Sequence, residues 1–232
     1  MCSASKKINT WLLAVIFGAF YLPTVVHAEE NAGLVREAGA WGALVRTNHG
    51  GPTIEDSAAE RLGVFGAAAA AFVRMEFGRL NDIGFGIQPE LGYSPRGADV
   101  EFEGAYLGNT RTSYLDLSVL GRLEVAAIES LALHAAAGPV LGILLSARSG
   151  DSDGSSSNSR EITSKLDASL ALGVGATFDI TPRFALTFET RYVQGFVSID
   201  DTGQNEIQNR AIFFSLGVAA RLGQSKPASL EE

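Results

Sequence analysis

From Leu166 onward the chain alternates with a period of two. Leu166, Ala168, Leu170, Leu172, Val174, Ala176, Phe178 and Ile180 fall on one side, and Asp167, Ser169, Ala171, Gly173, Gly175, Thr177 and Asp179 on the other. Successive side chains of an extended chain point to opposite faces, so this is a strand with one apolar face and one small or polar face. It is far longer than the roughly five or six residues usual in soluble sheets. The pattern recurs. Phe184, Leu186, Phe188 and Tyr192 oppose Thr187, Glu189 and Arg191, and Ile212, Phe214, Leu216, Val218, Ala220 and Leu222 oppose Ser215, Gly217, Ala219 and Arg221. Earlier, Phe85, Ile87, Leu91 and Tyr93 oppose Gln88, Glu90 and Ser94; Leu115, Leu117, Val119 and Leu123 oppose Asp116, Ser118 and Arg122. Leu131, Leu133, Leu141, Ile143 and Leu145 face away from His134, Gly138, Gly142 and Ser146.

Two further segments complete the set less clearly. Residues 61–77 contain Ala67 to Ala71, which alone would favour a helix, and residues 34–46 alternate only loosely around Trp41. The connections ask for both as strands. Long polar links at about 47–60, 96–110 and 147–164 alternate with tight ones at 78–82, 124–130 and 179–183, and a looser one at 200–208 precedes the last segment. The expected fold is all-β: an eight-stranded antiparallel up-and-down transmembrane β-barrel with short periplasmic turns and longer external loops.

Hydrocarbon cannot hydrogen-bond a peptide group, so a sheet in a bilayer must close on itself. About 9–11 tilted residues suffice to cross, and each segment has them. In that arrangement Glu90, Asp116, Arg122, Asp167, Glu189 and Arg191 form a charge network in the lumen, while Phe77, Phe85, Tyr93, Phe178, Phe184, Tyr192 and Phe196 suit interfacial girdles. The competing architecture is a soluble, lipocalin-like periplasmic ligand-binding barrel, which reverses the two faces. Leu170, Leu172, Phe188 and Leu216 then point to the axis, with Asp167 and Glu189 in water.

The first residues carry an address. Lys6 and Lys7 precede an apolar run from Trp11 to about Val26, and Val26-His27-Ala28 leads into Glu29 and Glu30. This is the pattern of a secretory signal cleaved near Ala28. Residues 1–28 are read as the leader, 29–222 as the barrel and 223–232 as a polar tail. Cys2 leaves with the leader, so the exported chain has no cysteine and no disulfide framework. Of the 18 Lys and Arg residues two leave as well; 16 then face 26 acidic residues, a net charge of −10. That balance repels phosphate backbones and argues against a nucleic-acid partner.

Several stretches resemble the PorT-type outer-membrane β-barrel domain family of Gram-negative bacteria. They are Gln88-Pro89-Glu90-Leu91-Gly92-Tyr93-Ser94-Pro95-Arg96-Gly97, Tyr114 to Leu120, Ala137 to Leu145, Gly173-Val174-Gly175-Ala176, Arg191-Tyr192-Val193-Gln194-Gly195 and Leu216-Gly217-Val218. The resemblance implies the barrel fold and a place in the cell outer membrane. One branch of that family is tied to protein secretion, which admits a role as an envelope accessory factor for secretion or assembly. The last strand here ends on Arg221-Leu222 instead of the aromatic residue common at barrel ends.

Candidate chemistry is sparse. His49, beside Gly50-Gly51, reads as an external-loop residue and His134 as a lumen hydrogen-bonding residue. Neither belongs to a cluster suited to a metal or a nucleophile, and no Gly-x-Ser-x-Gly, His-Glu-x-x-His or phosphate-binding glycine loop occurs. No cofactor is expected. A lipid-directed enzyme would need a Ser, a His and an acid at the membrane rim, and no such set can be assembled. An eight-stranded barrel is only wide enough for side chains to fill it, so Glu189 and Arg191 are expected to neutralise each other together with Asp116 and Arg122, because unpaired buried charges are costly. The stretch Ser149 to Ser159, with Asp151, Asp153 and Asn158, lacks the terminal Glu of a calcium loop. It reads as a flexible external recognition loop. The expected partners are outer-membrane lipid and an external ligand or envelope protein met through such loops, in a non-enzymatic structural or recognition role.

Overall fold

The computed structural model describes residues 35–51, 59–153, 155–202 and 206–222. The leader, most of the first link and the tail expected at 223–232 lie outside the described residues. Nine strands are found among those described: β1 Val35–Gly50, β2 Ala59–Leu80, β3 Ile83–Phe102, β4 Ala105–Ile128, β5 Leu131–Asp151, β6 Ser156–Asn158, β7 Leu166–Thr181, β8 Phe184–Gly195 and β9 Gln208–Arg221. Eight of them form one antiparallel ring, β1-β2-β3-β4-β5-β7-β8-β9, with β6 added at the external end of β5. The ring closes where β1 meets β9, from Glu37 opposite Arg221 to Gly50 opposite Gln208. No long strand is left with an open edge, which is the condition a bilayer imposes.

The faces settle the choice between membrane barrel and soluble cup. Leu172, Phe188 and Leu216 are 52%, 53% and 56% exposed, whereas Asp167 and Glu189 are 0% and 3% exposed. The apolar faces therefore point away from the axis. Each of Phe77, Tyr93, Phe178, Phe184, Tyr192 and Phe196 faces outward as well.

The polyalanine stretch is strand, not helix: Ala67 to Ala71 lie opposite Leu44 to Ala40 on β1, and Ala69 to Ala71 lie opposite Tyr93 to Leu91 on β3. Pairing on both sides overrides a helical preference worth only tenths of a kcal/mol per residue. Ala68 and Ala70 point inward and leave room for larger neighbours.

Turns are shorter than the polar composition suggests. Asn81-Asp82, Glu129-Ser130 and Pro182-Arg183 join strands at the end that also carries Val35 and Leu222. Thr181 Oγ1 accepts hydrogen bonds from the backbone N–H groups of Arg183 and Phe184 at 3.3 and 3.0 Å and so fixes the last of these turns. At the opposite end the long link expected over 96–110 is absent. β3 and β4 run on as a ladder to a two-residue turn at Glu103-Gly104, both with positive φ (50° and 79°). That backbone matches the right-handed twist of the flanking strands, and Gly104 adopts it without steric cost. A strand projecting beyond the membrane needs no apolar face, so alternation fades there while the ladder continues.

Candidate functional site

Side chains fill the lumen in layers. An apolar layer of Val45, Leu120, Val140, Val193 and Phe213 carries Trp41 packed against it, with the Trp41 and Phe213 rings edge to face at 6.3 Å. Ion pairs lie on either side of this layer in the strand register.

The largest network centres on Arg191 of β8. Its guanidinium donates to both Glu90 carboxylate oxygens across the barrel, at 2.6 and 2.9 Å, and to Glu189 Oε1 at 2.6 Å. Glu189 also meets His134 Nε2 at 3.2 Å, and Ser118 donates to Glu90 at 3.2 Å. Gln88 donates to Glu90 at 2.6 Å and accepts from Arg74 at 2.7 Å. Arg74 then reaches Glu37 at 2.5 Å, and Arg221 pairs with both Glu37 and Asp179 towards the tight-turn end. Nearer the loop end, Arg96 lies between Asp116, at 2.9 Å, and Asp167. Its guanidinium sits 4.6 Å above the Tyr114 ring. Bidentate guanidinium–carboxylate contacts of this kind are the strong, orienting class of hydrogen bond.

All six charges read from the alternation, Glu90, Asp116, Arg122, Asp167, Glu189 and Arg191, point into the barrel, but they are partnered differently from expectation. Asp116 pairs with Arg96 and not with Arg122, which instead pairs with Glu124 at 2.7 Å. Arg96 was hidden in the segment read as a link, and Arg74 in the weak segment after the alanines. Both are displaced in sequence from the acids they neutralise, and only the closed ring brings them together.

His49 is not a loop residue. It is the penultimate residue of β1, opposite Asn209, and is buried at the external mouth of the lumen. His134, by contrast, lies within the lumen network through Glu189. Among the described residues, no group of three or more His, Cys, Asp and Glu could hold a metal ion.

The external end is more ordered than the Ser/Asp/Gly composition implies. Ser156 to Asn158 pair with Gly150 to Arg148 as β6, so the segment holding Asp151, Asp153 and Asn158 is a hairpin extension and not a free coil. Asp153 Oδ1 accepts the Ser155 N–H at 2.8 Å, which holds its carboxyl below the usual carboxylate range. Asn158 Oδ1 accepts the Arg160 N–H at 3.0 Å. The connections 152–165 and 196–207 bind each other through the Thr163–Asp200 bridge and the Ser164 N–H to Ile199 carbonyl bond of 2.8 Å. Among the described residues these contacts tie the two connections into an external platform at the loop end.

Residues 49–201 match the model of the outer membrane protein beta-barrel domain. This chain belongs to that family. No curated protein sequence matches the chain. Its fold is similar to that of Neisserial surface protein A, at 15% identity and TM-score 0.48, covering 81% of this chain and 97% of that one. It is also similar to the outer membrane protein OprG of Pseudomonas aeruginosa (10% identity, TM-score 0.48, 83% and 97% covered). A third likeness is Ail, the attachment invasion locus protein of Yersinia pestis, solved with the heparin analogue sucrose octasulfate (17% identity, TM-score 0.40, 81% and 99% covered). The outer-membrane barrel domain thus has its apolar belt in lipid and its tight-turn end opposite the loop platform.

Proposed function

We propose that this outer-membrane barrel is non-enzymatic and acts by recognition through its external platform, the lumen network of Glu90, Asp116, Arg122, Asp167, Glu189 and Arg191 serving to hold the scaffold. The observation that carries this reading is the saturation of the lumen: its acids are engaged by arginines of the same wall, and side chains fill the space between them. What is left for a partner is the loop end, with Asp151, Asp153 and Asn158 on the β5–β6 hairpin and the paired connection 196–207 beside it. The same proposal takes residues 1–28 as a leader cleaved near Ala28, 29–222 as the barrel and 223–232 as its tail, in a Gram-negative envelope. Within the family, the resemblance of the 88–97 and 191–195 segments supports the PorT-type branch.

Shortening 151–155 to a two-residue Asn-Gly turn tests it: Asp151 and Asp153 are removed, Gly150 and Ser156 already face each other across the hairpin, and of the ring only the Gly108–Asp151 pairing at its tip is lost. Binding of cells displaying the barrel to envelope proteins and host-surface glycans is expected to fall while the amount of folded barrel stays level. Undiminished binding would refute a recognition role for this hairpin.

A further inference from the structure

The β2–β3 ladder has a wide gap towards the loop end. β2 and β3 pair from Ala59 opposite Phe102 to Gly63 opposite Ala98, and again from Ala69 opposite Tyr93. Between these points residues 64–68 face only residues 94–97, so the two sides differ by one residue. Pro95 sits in the gap and has no N–H to give a ladder. It packs on Gly66, where an added Cβ would lie 2.6 Å from the proline ring. Across β4, a second register shift follows Ser113, opposite Ser146, and leaves Leu144 opposite Tyr114. Ser146, expected in the lumen, is turned outward by this bulge, and its hydroxyl meets that of Ser113 at 2.7 Å.

The two irregularities open a hollow of about 360 Å³ on the outward face, bounded by Phe65 and Tyr93, floored by Pro95, Ser113 and Ser146, and reaching Arg96 behind the gap. At its upper rim Arg111 and Arg148 stand directly opposite each other on β4 and β5. Like charges in that position repel. Asp99 pairs with Arg111 at 2.6 Å, but among the described residues no ion pair joins Arg148 to an acid. Arg148 and Arg160 also line the adjoining hollow under β6. In a protein of strong negative charge, this is an exposed cationic rim in which Arg111 shares its charge with Asp99 and Arg148 is paired with no acid among the described residues.

Height and direction identify what it faces. Arg111 lies four residues beyond Leu115, which is opposite Tyr93. At the usual strand rise and tilt, four residues lift it by roughly 10 Å above the girdle, to headgroup level. The rim points away from the axis, into the membrane plane. We propose that this notch binds the phosphorylated head of an outer-leaflet lipid, with Arg111 and Arg148 on phosphate and an acyl chain against Tyr93 and Phe65. The assignment rests on the loop end being external and not on what the loops recognise.

The test uses the full barrel in an uncharged maltoside detergent, with lipid retention measured by native mass spectrometry. The probes are bis-phosphorylated lipid A, its phosphate-free counterpart and inorganic phosphate as competitor. Phosphorylated lipid A is expected to bind at least tenfold more tightly than the phosphate-free form. The Arg111→Gln/Arg148→Gln pair should lose at least tenfold, while Arg183→Gln, at the tight-turn end, should lose nothing. Equal retention by the double variant, equal binding of the phosphate-free lipid, or an identical loss in Arg183→Gln would overturn the proposal. Displacement by inorganic phosphate at matching concentration would also overturn it, since the site would then be one for a free anion. The unboiled gel shift checks folding, and Arg148→Gln alone, expected to lose several-fold, replaces the double variant should that not fold. An intact loop-dependent adhesion beside a failed lipid test would leave the external platform standing and remove only the notch.

Discussion

At the level of single residues, the lumen is held by few cations with many acceptors. Arg191 engages Glu90 and Glu189, on opposite sides of the interior. Replacing it by Met leaves two buried carboxylates without their guanidinium, a loss of about 3–5 kcal/mol by the usual cost of breaking a buried pair. Urea titration of the barrel folded in lipid vesicles should show this, and adding Glu90→Gln and Glu189→Gln should restore most of it. A triple variant no more stable than Arg191→Met would mean that the charges are not coupled. On the outside, Asp153 is held below the ordinary carboxylate range by the Ser155 N–H. A carboxyl depressed in the folded state supports its local structure above its unfolded pKa and releases it as pH falls through the lower, folded value. The Ser155 amide resonance should therefore hold steady through the ordinary carboxylate range and shift only at lower pH. A step at the ordinary carboxylate pKa would contradict the capped hairpin. Inward-facing charges were legible in the sequence because period two fixes the face of Glu90, Asp116 or Glu189 once one neighbour is known. Their partners were not, because pairing Arg191 with Glu90 depends on curvature that joins residues 101 positions apart.

Among the strands, alternation was informative only where lipid demands it. It located β3, β4, β5, β7, β8 and β9 through their membrane spans and lost them beyond the belt, where water accepts any side chain and β3 and β4 continue to Glu103-Gly104. Bulges were invisible for a related reason: one inserted residue reverses every side chain after it. Ser146 was thus assigned to the lumen although it faces out. Position on a strand also sets tolerance. Leu172 points outward near the middle of β7, opposite Ala137 on β5 and Tyr192 on β8. Arginine there should destabilise the folded barrel by about 2–4 kcal/mol, as lipid-facing cations do at mid-membrane. The same change at Ile180, which points outward close to the tight-turn end of β7, should cost no more than about 1 kcal/mol. Equal costs for Leu172→Arg and Ile180→Arg in vesicle urea titrations would mean that this face does not meet hydrocarbon.

As a whole, the molecule is a ring whose closure turns eight weak local patterns into one structure. The β1–β9 seam carries a continuous register between elements far apart in the chain, and Leu222 N–H adds a bond to the Arg36 carbonyl at 2.8 Å. The closed ring fixes the lumen diameter, and eight strands leave a width that side chains span. Tyr114 is fully buried under Arg96, and Trp41 and Phe213 meet edge to face in the apolar layer. Two obstructions of different chemistry therefore lie in series along the axis. An ion entering from the loop end would first have to displace Arg96 from Asp116 and Asp167, and then pass the Trp41 and Phe213 rings, which offer no oxygen to replace its hydration. The intact barrel in a planar lipid bilayer should thus give no steady conductance steps, and removing one obstruction alone, as in Tyr114→Ala, should leave it closed. Removing both, as in Tyr114→Ala with Trp41→Ala and Phe213→Ala, should produce small steps in a barrel that still migrates anomalously on an unboiled gel. Steady conductance by the unaltered chain would show that the lumen is open, and a saturated lumen would no longer argue for work done at the external platform.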